Sequence, residues 1–148
     1  MKVVPPVAAV LYLLAAWGVV TLLPNEPAIA RSVTSIVIAA ILAAAGVALA
    51  VTAAITFRRH ETTVDPFGKP EHLVKSGPFA LTRNPMYVGV TLVLLGYGVF
   101  NGQAAFLAVP FAFVYTVSKF YIPREEKLLG ELFPGEFEKY KEEVRRWI

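Results

Sequence analysis

The stretch SVTSIVIAAILAAAGVALAVTAAITF at residues 32–57 decides the fold class of this chain. None of its residues is charged, and a helix of this length is longer than the roughly 30 Å hydrocarbon core of a bilayer. Ala40, Ala44 and Ala48 recur at every fourth position, a spacing that we expect to let a neighbouring helix backbone approach closely. The stretch therefore predicts a membrane-spanning helix that packs through small residues.

Three other apolar runs accompany this stretch, and turn signals separate them at Pro24-Asn25-Glu26-Pro27 and at Asn101-Gly102. The predicted spans are 3–23, 32–57, 86–100 and 104–122. The third is short for a full crossing unless it is tilted or kinked. We therefore predict a single all-α integral membrane domain with four transmembrane helices, a loop over residues 58–85 and a polar tail over residues 123–148.

The N-terminus has a second interpretation. Lys2, the apolar run after it and Ala28-Ile29-Ala30 resemble a signal peptide with its cleavage site. The apolar run is longer than a typical signal core, however, and three spans follow it. We therefore expect a retained helix.

Composition agrees with a membrane protein. Of the 148 residues, 56% are hydrophobic and 17% charged, whereas average soluble domains are roughly 45–50% apolar and about 25% charged. These values argue against a soluble globular enzyme and against intrinsic disorder. There is no cysteine, which excludes disulfides, thiolate metal sites and cysteine nucleophiles.

The placement of charge predicts the topology. Of the 25 charged residues, 22 lie within 58–83 or 119–148, and the net charge is +3. With four spans, this loop, the tail and both termini share one side of the membrane, which the basic residues assign to the cytoplasm. The basic balance is thus a topology signal rather than a sign of nucleic-acid binding. We expect a cytoplasmic active site, in the cytoplasmic membrane if the cell is prokaryotic.

The tail divides into two amphipathic pieces at Pro134-Gly135. On a helix that begins at Pro123, one face carries Leu128, Leu129, Leu132 and Phe133. After the break, one face carries Phe137, Tyr140, Val144 and Ile148. We expect both cytoplasmic helices to lie in the membrane interface or to close over the bundle.

The spans contain one ionisable side chain from Asp, Glu, His, Lys or Arg, which is Lys119 near an end of the fourth. This scarcity disfavours an ion-coupled transporter, because such proteins usually carry an ionisable group near the midplane. Any chemistry is therefore expected at the interface.

Asn84 is a suitable N-cap and Pro85 a suitable first helical residue, so the third span would present a positive helix end there to a carboxylate or phosphate. The alternative is that Asn-Pro only starts a helix while Arg83 reaches the headgroups.

Glu125 falls in the middle of the apolar face of the first tail helix, and Glu126 lies at its flank. A carboxylate on a face intended for burial needs a partner. Spacing leaves two partners open: Arg83 in a structural ion pair, or the hydroxyl or amine groups of a ligand.

Two classes of site are not expected. His60 and His72 lie twelve residues apart in a loop without an obvious third ligand, so we predict no metal site. The chain also has no Gly-x-Gly-x-x-Gly motif after a strand, which argues against a Rossmann-type nucleotide site.

Two segments of the C-terminal half resemble the isoprenylcysteine carboxyl methyltransferase and phospholipid methyltransferase superfamily. They are LVKSGPFALTRNPMYVG at 73–89 and PREEKLLGELFPGEFEKYKEEVRRW at 123–147. The family pattern is Arg-His-Pro-x-Tyr, followed about forty residues later by a Glu-Glu pair. Here these segments read Arg83-Asn84-Pro85-Met86-Tyr87 and Glu125-Glu126.

The resemblance implies an S-adenosylmethionine-dependent membrane methyltransferase, with the cofactor at the cytoplasmic ends of the helices and a lipophilic acceptor reached from the bilayer. It assigns positioning roles in catalysis to Arg83 and Glu125. It implies cofactor contacts from His72, Leu73, Val74, Phe79, Asn84, Pro85, Met86, Tyr87, Glu125 and Glu126.

The sequence departs from the family at three positions. Glu71 replaces a histidine, although His72 is adjacent, and Asn84 replaces the histidine of Arg-His-Pro. Tyr121 stands where the eukaryotic prenylcysteine enzymes hold their substrate with an arginine. These departures argue against prenylcysteine itself as the acceptor. The alternatives are an NADPH-dependent membrane reductase similar to the steroid reductases and a non-catalytic membrane scaffold.

Overall fold

The computed structural model of the protein describes residues 5–23, 28, 30–59 and 71–148. Within these ranges the chain is helical and forms no β-strand, which confirms the all-α class. The helices are α1 (Pro5–Leu22), α2 (Val33–Arg59), α3 (Pro85–Asn101), α4 (Ala104–Thr116), α5 (Ile122–Leu132) and α6 (Glu136–Glu143). A 3-10 turn at Gly77–Ala80 precedes α3, and a π turn at Val117–Tyr121 joins α4 to α5.

Three helical stretches among the described residues are long and apolar enough to cross a membrane: α1, α2 and the continuous helix from Ala104 to Leu132. Helix α3 has 17 residues, or about 26 Å of rise, so the third apolar run forms a helix that is shorter than the hydrocarbon core of a bilayer, as predicted. The count of four spans stays a prediction. The predicted boundary at Ile122 is not the end of a helix, because the π turn carries the chain on into α5.

Large apolar side chains point outward from these helices. Trp17, Ile41 and Phe111 are 62%, 62% and 73% exposed. Exposure of so much apolar surface to water would be energetically unfavourable, whereas the same side chains are suited to contact with lipid chains. The outward surface therefore agrees with a membrane protein.

Helices α2 and α3 pack closely through glycines. A Cβ atom built on Gly89 would lie 2.6 Å from the carbonyl oxygen of Gly46, and one on Gly96 would lie 2.7 Å from that of Ala39. Close packing through small residues is thus present, but the predicted residues are wrong. Ala40, Ala44 and Ala48 are exposed on the other side of α2. Because α2 is apolar all round, its alanine spacing did not mark the buried face.

A second core joins α1, α3 and α4. Phe113 is fully buried in it, and the hydroxyl groups of Tyr12 and Thr116 lie 2.6 Å apart across the interface between α1 and α4. This core places the start of α3 beside the part of the continuous helix where α4 passes into α5, because Tyr87 of α3 packs against the same cluster.

The predicted break at Pro134-Gly135 is confirmed, since Gly135 adopts φ +79° between α5 and α6. Phe137, Tyr140 and Val144 form the predicted buried face, and Leu129 and Phe133 pack on it from the α5 side. Two predicted members are wrong: Leu132 is 39% exposed and Ile148 is 82% exposed. Ile148 lies beyond α6, so helical spacing no longer places it on that face.

Several predicted features lie outside the described residues. They are Lys2, the turn at residues 24–27, Ile29, and the part of the loop at residues 60–70 that includes His60.

Candidate functional site

The site is built around the first turn of α3. The helix begins at Pro85 as predicted, and its first intrahelical bond runs from the Val88 N–H to the Asn84 carbonyl at 3.0 Å. The N–H groups of Met86 and Tyr87 come before that bond, so they have no carbonyl partner within the helix. These two donors lie at the positive end of the helix dipole, an arrangement that favours an anionic group.

Asn84 does not cap the helix with its side chain, so that part of the prediction is wrong. Its amide nitrogen Nδ2 instead donates to the carbonyl of Arg146 at 2.8 Å. The N–H of Asn84 donates to the hydroxyl of Thr82 at 3.2 Å. Asn84 therefore ties the start of α3 to the C-terminal end of the chain.

Tyr87 and Glu125 join the two motif segments. The Tyr87 hydroxyl donates to Glu125 Oε1 at 2.5 Å, although the residues are 38 positions apart. The Tyr87 ring also packs edge-on against Phe113, with a centroid distance of 6.3 Å. The second oxygen of Glu125 has no hydrogen-bond partner among the residues that the structure describes. It is thus available to a donor on a ligand.

Glu126, rather than Glu125, is the carboxylate that binds Arg83. Arg83 Nη2 donates to Glu126 Oε1 at 2.9 Å, and Arg146 donates to both carboxylate oxygens, at 3.0 and 2.5 Å. The alternative of an Arg83–Glu125 ion pair is therefore wrong. Successive residues of a helix point about 100° apart. Helix α5 therefore directs Glu125 to Tyr87 and Glu126 to the two arginines.

Arg83 is largely buried, with 12% of its side chain exposed. Besides Glu126, it binds the carbonyl oxygens of Val144 at 2.6 Å and Lys141 at 3.2 Å. Its Nε–H is buried and has no hydrogen-bond partner in the described part of the chain. The side chain thus connects α5 with the end of α6, instead of reaching towards lipid headgroups.

The remaining predicted site residues lie on the segment before α3. Val74 and Phe79 are buried in a cluster with Ala53 of α2, and the Phe79 ring packs at a tilt against that of Phe57, with a centroid distance of 4.6 Å. Leu73 packs against the apolar face of α6. His72 is exposed, and Met86 packs beside the Val74–Phe79 cluster. The structure thus brings Tyr87 to Glu125 and links Asn84 to Glu126 through Arg146. Val74 and Phe79 are instead buried beside Met86, and Leu73 lies against α6.

Helix α6 holds this segment from the other side. The Tyr140 hydroxyl donates to the Phe79 carbonyl at 2.6 Å, and Lys75 pairs with Glu136 at 2.7 Å. Burial raises the pKa of Tyr140 to about 12, against an opposing effect of the Arg83 charge. The hydroxyl therefore stays protonated, and able to donate, well above neutral pH.

Sequence reasoning missed Thr82 and Arg146 as parts of the site. Thr82 is 2% exposed and donates to the Arg146 carbonyl at 3.1 Å. Thr82 adjoins the Arg-Asn-Pro motif, which is a signal that could have drawn attention to it. Arg146 lies beyond the last helix, where neither periodicity nor motif spacing indicates a partner.

An apolar groove of about 300 Å³ lies between α1, α2 and α3. Its lining is aliphatic and includes Ala9, Val51, Val90 and Leu94. Val90 and Leu94 follow Tyr87 by three and seven residues, so all three share one face of α3. The groove therefore lies along the face of α3 that carries Tyr87 in its first turn. Among the described residues there is no cluster of three potential metal ligands from His, Cys, Asp or Glu.

Comparisons with known proteins bear on this arrangement. A sequence model of the phospholipid methyltransferase family matches residues 34–136, which is more than two thirds of the chain. An uncharacterized protein of Haemophilus influenzae is 38% identical over 64 residues, which cover 43% of this chain and the whole of that protein. No solved structure matches the chain. The family match runs from α2 to the start of α6 and so includes both Tyr87 and Glu125.

Proposed function

Because the chain belongs to the phospholipid methyltransferase family, we propose that it transfers a methyl group from S-adenosylmethionine to a lipophilic acceptor at the membrane. The membership confirms the family predicted from the motif segments. The observation that carries the proposal is the hydrogen bond between Tyr87 and Glu125, which joins both segments at the positive end of α3. The comparisons give no support to the reductase or scaffold alternatives.

The groups at the start of α3 fit the amino-acid part of this cofactor. Its carboxylate suits the N–H groups of Met86 and Tyr87 at the helix end. Its ammonium group suits the Glu125 oxygen that has no partner within the described ranges. Both oxygens of Glu126 already bind arginines, so its proposed role is indirect, through the position of α5.

The residues of this chain would act by positioning. S-adenosylmethionine supplies an electrophilic methyl group on a sulfonium centre. Glu125 and Tyr87 would orient the cofactor, and Arg83 would hold the segment that carries Tyr87. Leu73, Val74 and Phe79 would exclude water from behind, with His72 at the exposed edge. Orientation and water exclusion are the main contributions that an in-line transfer requires from a protein.

The aliphatic groove favours an acceptor with a hydrocarbon chain. It shares the face of α3 that carries Tyr87, and its walls offer dispersion contacts and no hydrogen-bonding side chain. A chain lying there would hold a polar acceptor atom near the start of α3. We propose that this end of the bundle faces the cytoplasm, since Arg58 and Arg59 end α2 beside it.

Ligand binding by the purified protein in detergent tests the proposal. S-adenosylhomocysteine at about 100 times its Kd should stabilise the wild type by about 2.7 kcal/mol and raise its melting temperature. Glu125→Ala should lose this shift, whereas Glu142→Ala, which removes an exposed carboxylate of α6, should keep it. A shift with NADPH and none with S-adenosylhomocysteine would overturn the proposal.

Transfer of a radiolabelled methyl group then identifies the acceptor class. The wild type is incubated with labelled S-adenosylmethionine and with amine phospholipids, prenyl thioethers or short thiols in separate vesicle preparations. Label should enter an acceptor that carries a hydrocarbon chain. Label in the short, water-soluble thiols alone would contradict a lipophilic acceptor.

A further inference from the structure

The C-terminal end of the chain covers the segment before α3 with its backbone. The N–H of Arg83 donates to the Arg145 carbonyl at 2.9 Å, and the Arg83 side chain donates to the carbonyls of Lys141 and Val144. Thr82 and Asn84 both donate to the carbonyl of Arg146. Three consecutive residues thus donate hydrogen bonds to carbonyl oxygens about sixty positions later in the chain.

The side chain of Arg146 makes the second half of this connection. Its guanidinium binds both oxygens of Glu126 on α5, whose side chain is only 17% exposed. A planar guanidinium can form this fork, whereas a lysine ammonium cannot. Arg146 therefore holds the start of α3 with its main chain and the start of α5 with its side chain.

We propose that Arg146 is a positioning residue that sets the distance between Tyr87 and Glu125. Tyr87 is three residues after Asn84, which donates to the Arg146 carbonyl. Glu125 is the neighbour of Glu126, which binds the Arg146 guanidinium. Both partners of the Tyr87–Glu125 hydrogen bond therefore lie close to a contact of Arg146. The consequence for cofactor affinity rests on the proposed function, whereas the consequence for the structure does not.

The geometry separates this role from general stability. The two buried clusters that hold α1–α4 together do not contain Arg146, and 42% of its side chain is exposed. Loss of its fork should thus loosen the contact between the two segments while the helical bundle stays folded. A residue of purely structural importance would instead weaken the whole protein.

Hydrogen exchange of the ligand-free protein tests the structural part. In Arg146→Ala, backbone amides in a peptide covering residues 80–87 should exchange about tenfold faster, as expected from loss of one charge-assisted contact. Peptides from α1 and α4 should be unchanged. Lys139→Ala removes an exposed cation of α6 and should match the wild type. Unchanged exchange at 80–87 in Arg146→Ala, or faster exchange throughout the bundle, would overturn the role of Arg146.

Binding of S-adenosylhomocysteine tests the functional part. Arg146→Ala should raise its Kd about tenfold, and Arg146→Lys should recover part of the loss because it keeps the charge without the fork. The KM for S-adenosylmethionine should rise in parallel while kcat changes little. An equal Kd in wild type and Arg146→Ala would overturn the inference. Absence of binding to the wild type would count against the proposed function alone, since the exchange experiment stands without it.

Discussion

Replacing Tyr87 by phenylalanine removes one hydroxyl group and leaves the ring in its edge-on contact with Phe113. The lost group donates to Glu125 Oε1 at 2.5 Å, and a hydrogen bond to a charged group contributes about 1.5–3 kcal/mol. The carboxylate also loses the partner that compensates its partial burial. We therefore expect Tyr87→Phe to lower the free energy of unfolding by about 2 kcal/mol.

A double-mutant cycle separates this bond from other effects. Tyr87→Phe, Glu125→Ala and the double variant are unfolded reversibly in mixed detergent micelles, and we expect a coupling energy of at least about 1 kcal/mol. Tyr97→Phe is the matched control, because Tyr97 lies on the same helix and is 44% exposed; its effect should stay within about 0.5 kcal/mol. Additivity of the two single changes within about 0.3 kcal/mol would refute the reasoning.

Three further predictions concern packing, the buried arginine and pH. Gly89→Ala should destabilise the protein by about 1–3 kcal/mol in the same unfolding assay, because its Cβ would lie 2.6 Å from a carbonyl oxygen of α2. Gly18→Ala, with nothing within 4 Å, should be neutral or stabilising, and an equal loss in both variants would contradict this account. Arg83→Lys should cost about 2–3 kcal/mol because lysine cannot reach two carbonyls and a carboxylate together, whereas Lys127→Ala should cost under about 0.5 kcal/mol. Similar losses for these two would argue against the buried contacts of the arginine. The folded pKa of Tyr140 is raised to about 12 from 10.0, so its contribution to stability is complete below pH 10 and is lost as the pH rises towards 12. Tyr140→Phe should flatten that part of the pH profile of the unfolding midpoint, and an unchanged profile would show that other groups cause it.

The sequence was sufficient for the helical elements but not for their contacts. Charge-free runs and turn residues such as Gly102 and Gly135 mark where the helices end, and both glycines adopt positive φ there. In a membrane helix, however, polarity does not separate a buried face from a lipid-facing one. Ala44 and Gly46 are equally compatible with packing, and only the partner helix decides that Gly46 is buried.

The sequence predicted the site residues whose partners are side chains within the motifs. It did not predict the contacts whose partners are backbone carbonyl groups. The helical wheel singled out Glu125, and the motif singled out Tyr87, but nothing in their spacing fixed which glutamate would bind Arg83. That choice depends on the rotation of α5, which the fold sets. The carbonyls of residues 141–146 carry no sequence signal at all, because every residue has one.

The π turn at Val117–Tyr121 has a consequence for comparing this chain with its relatives. The buried residues Val109, Phe113 and Val117 are four positions apart, and the next buried residue, Ile122, comes after five. A π turn accommodates one extra residue within an otherwise regular helix. A relative with one residue fewer between these positions would keep an unbroken α-helix and the same buried stripe. Alignments should therefore permit a single-residue gap here, and a chain shortened by deletion of Ser118 should still present both glutamates in their present directions.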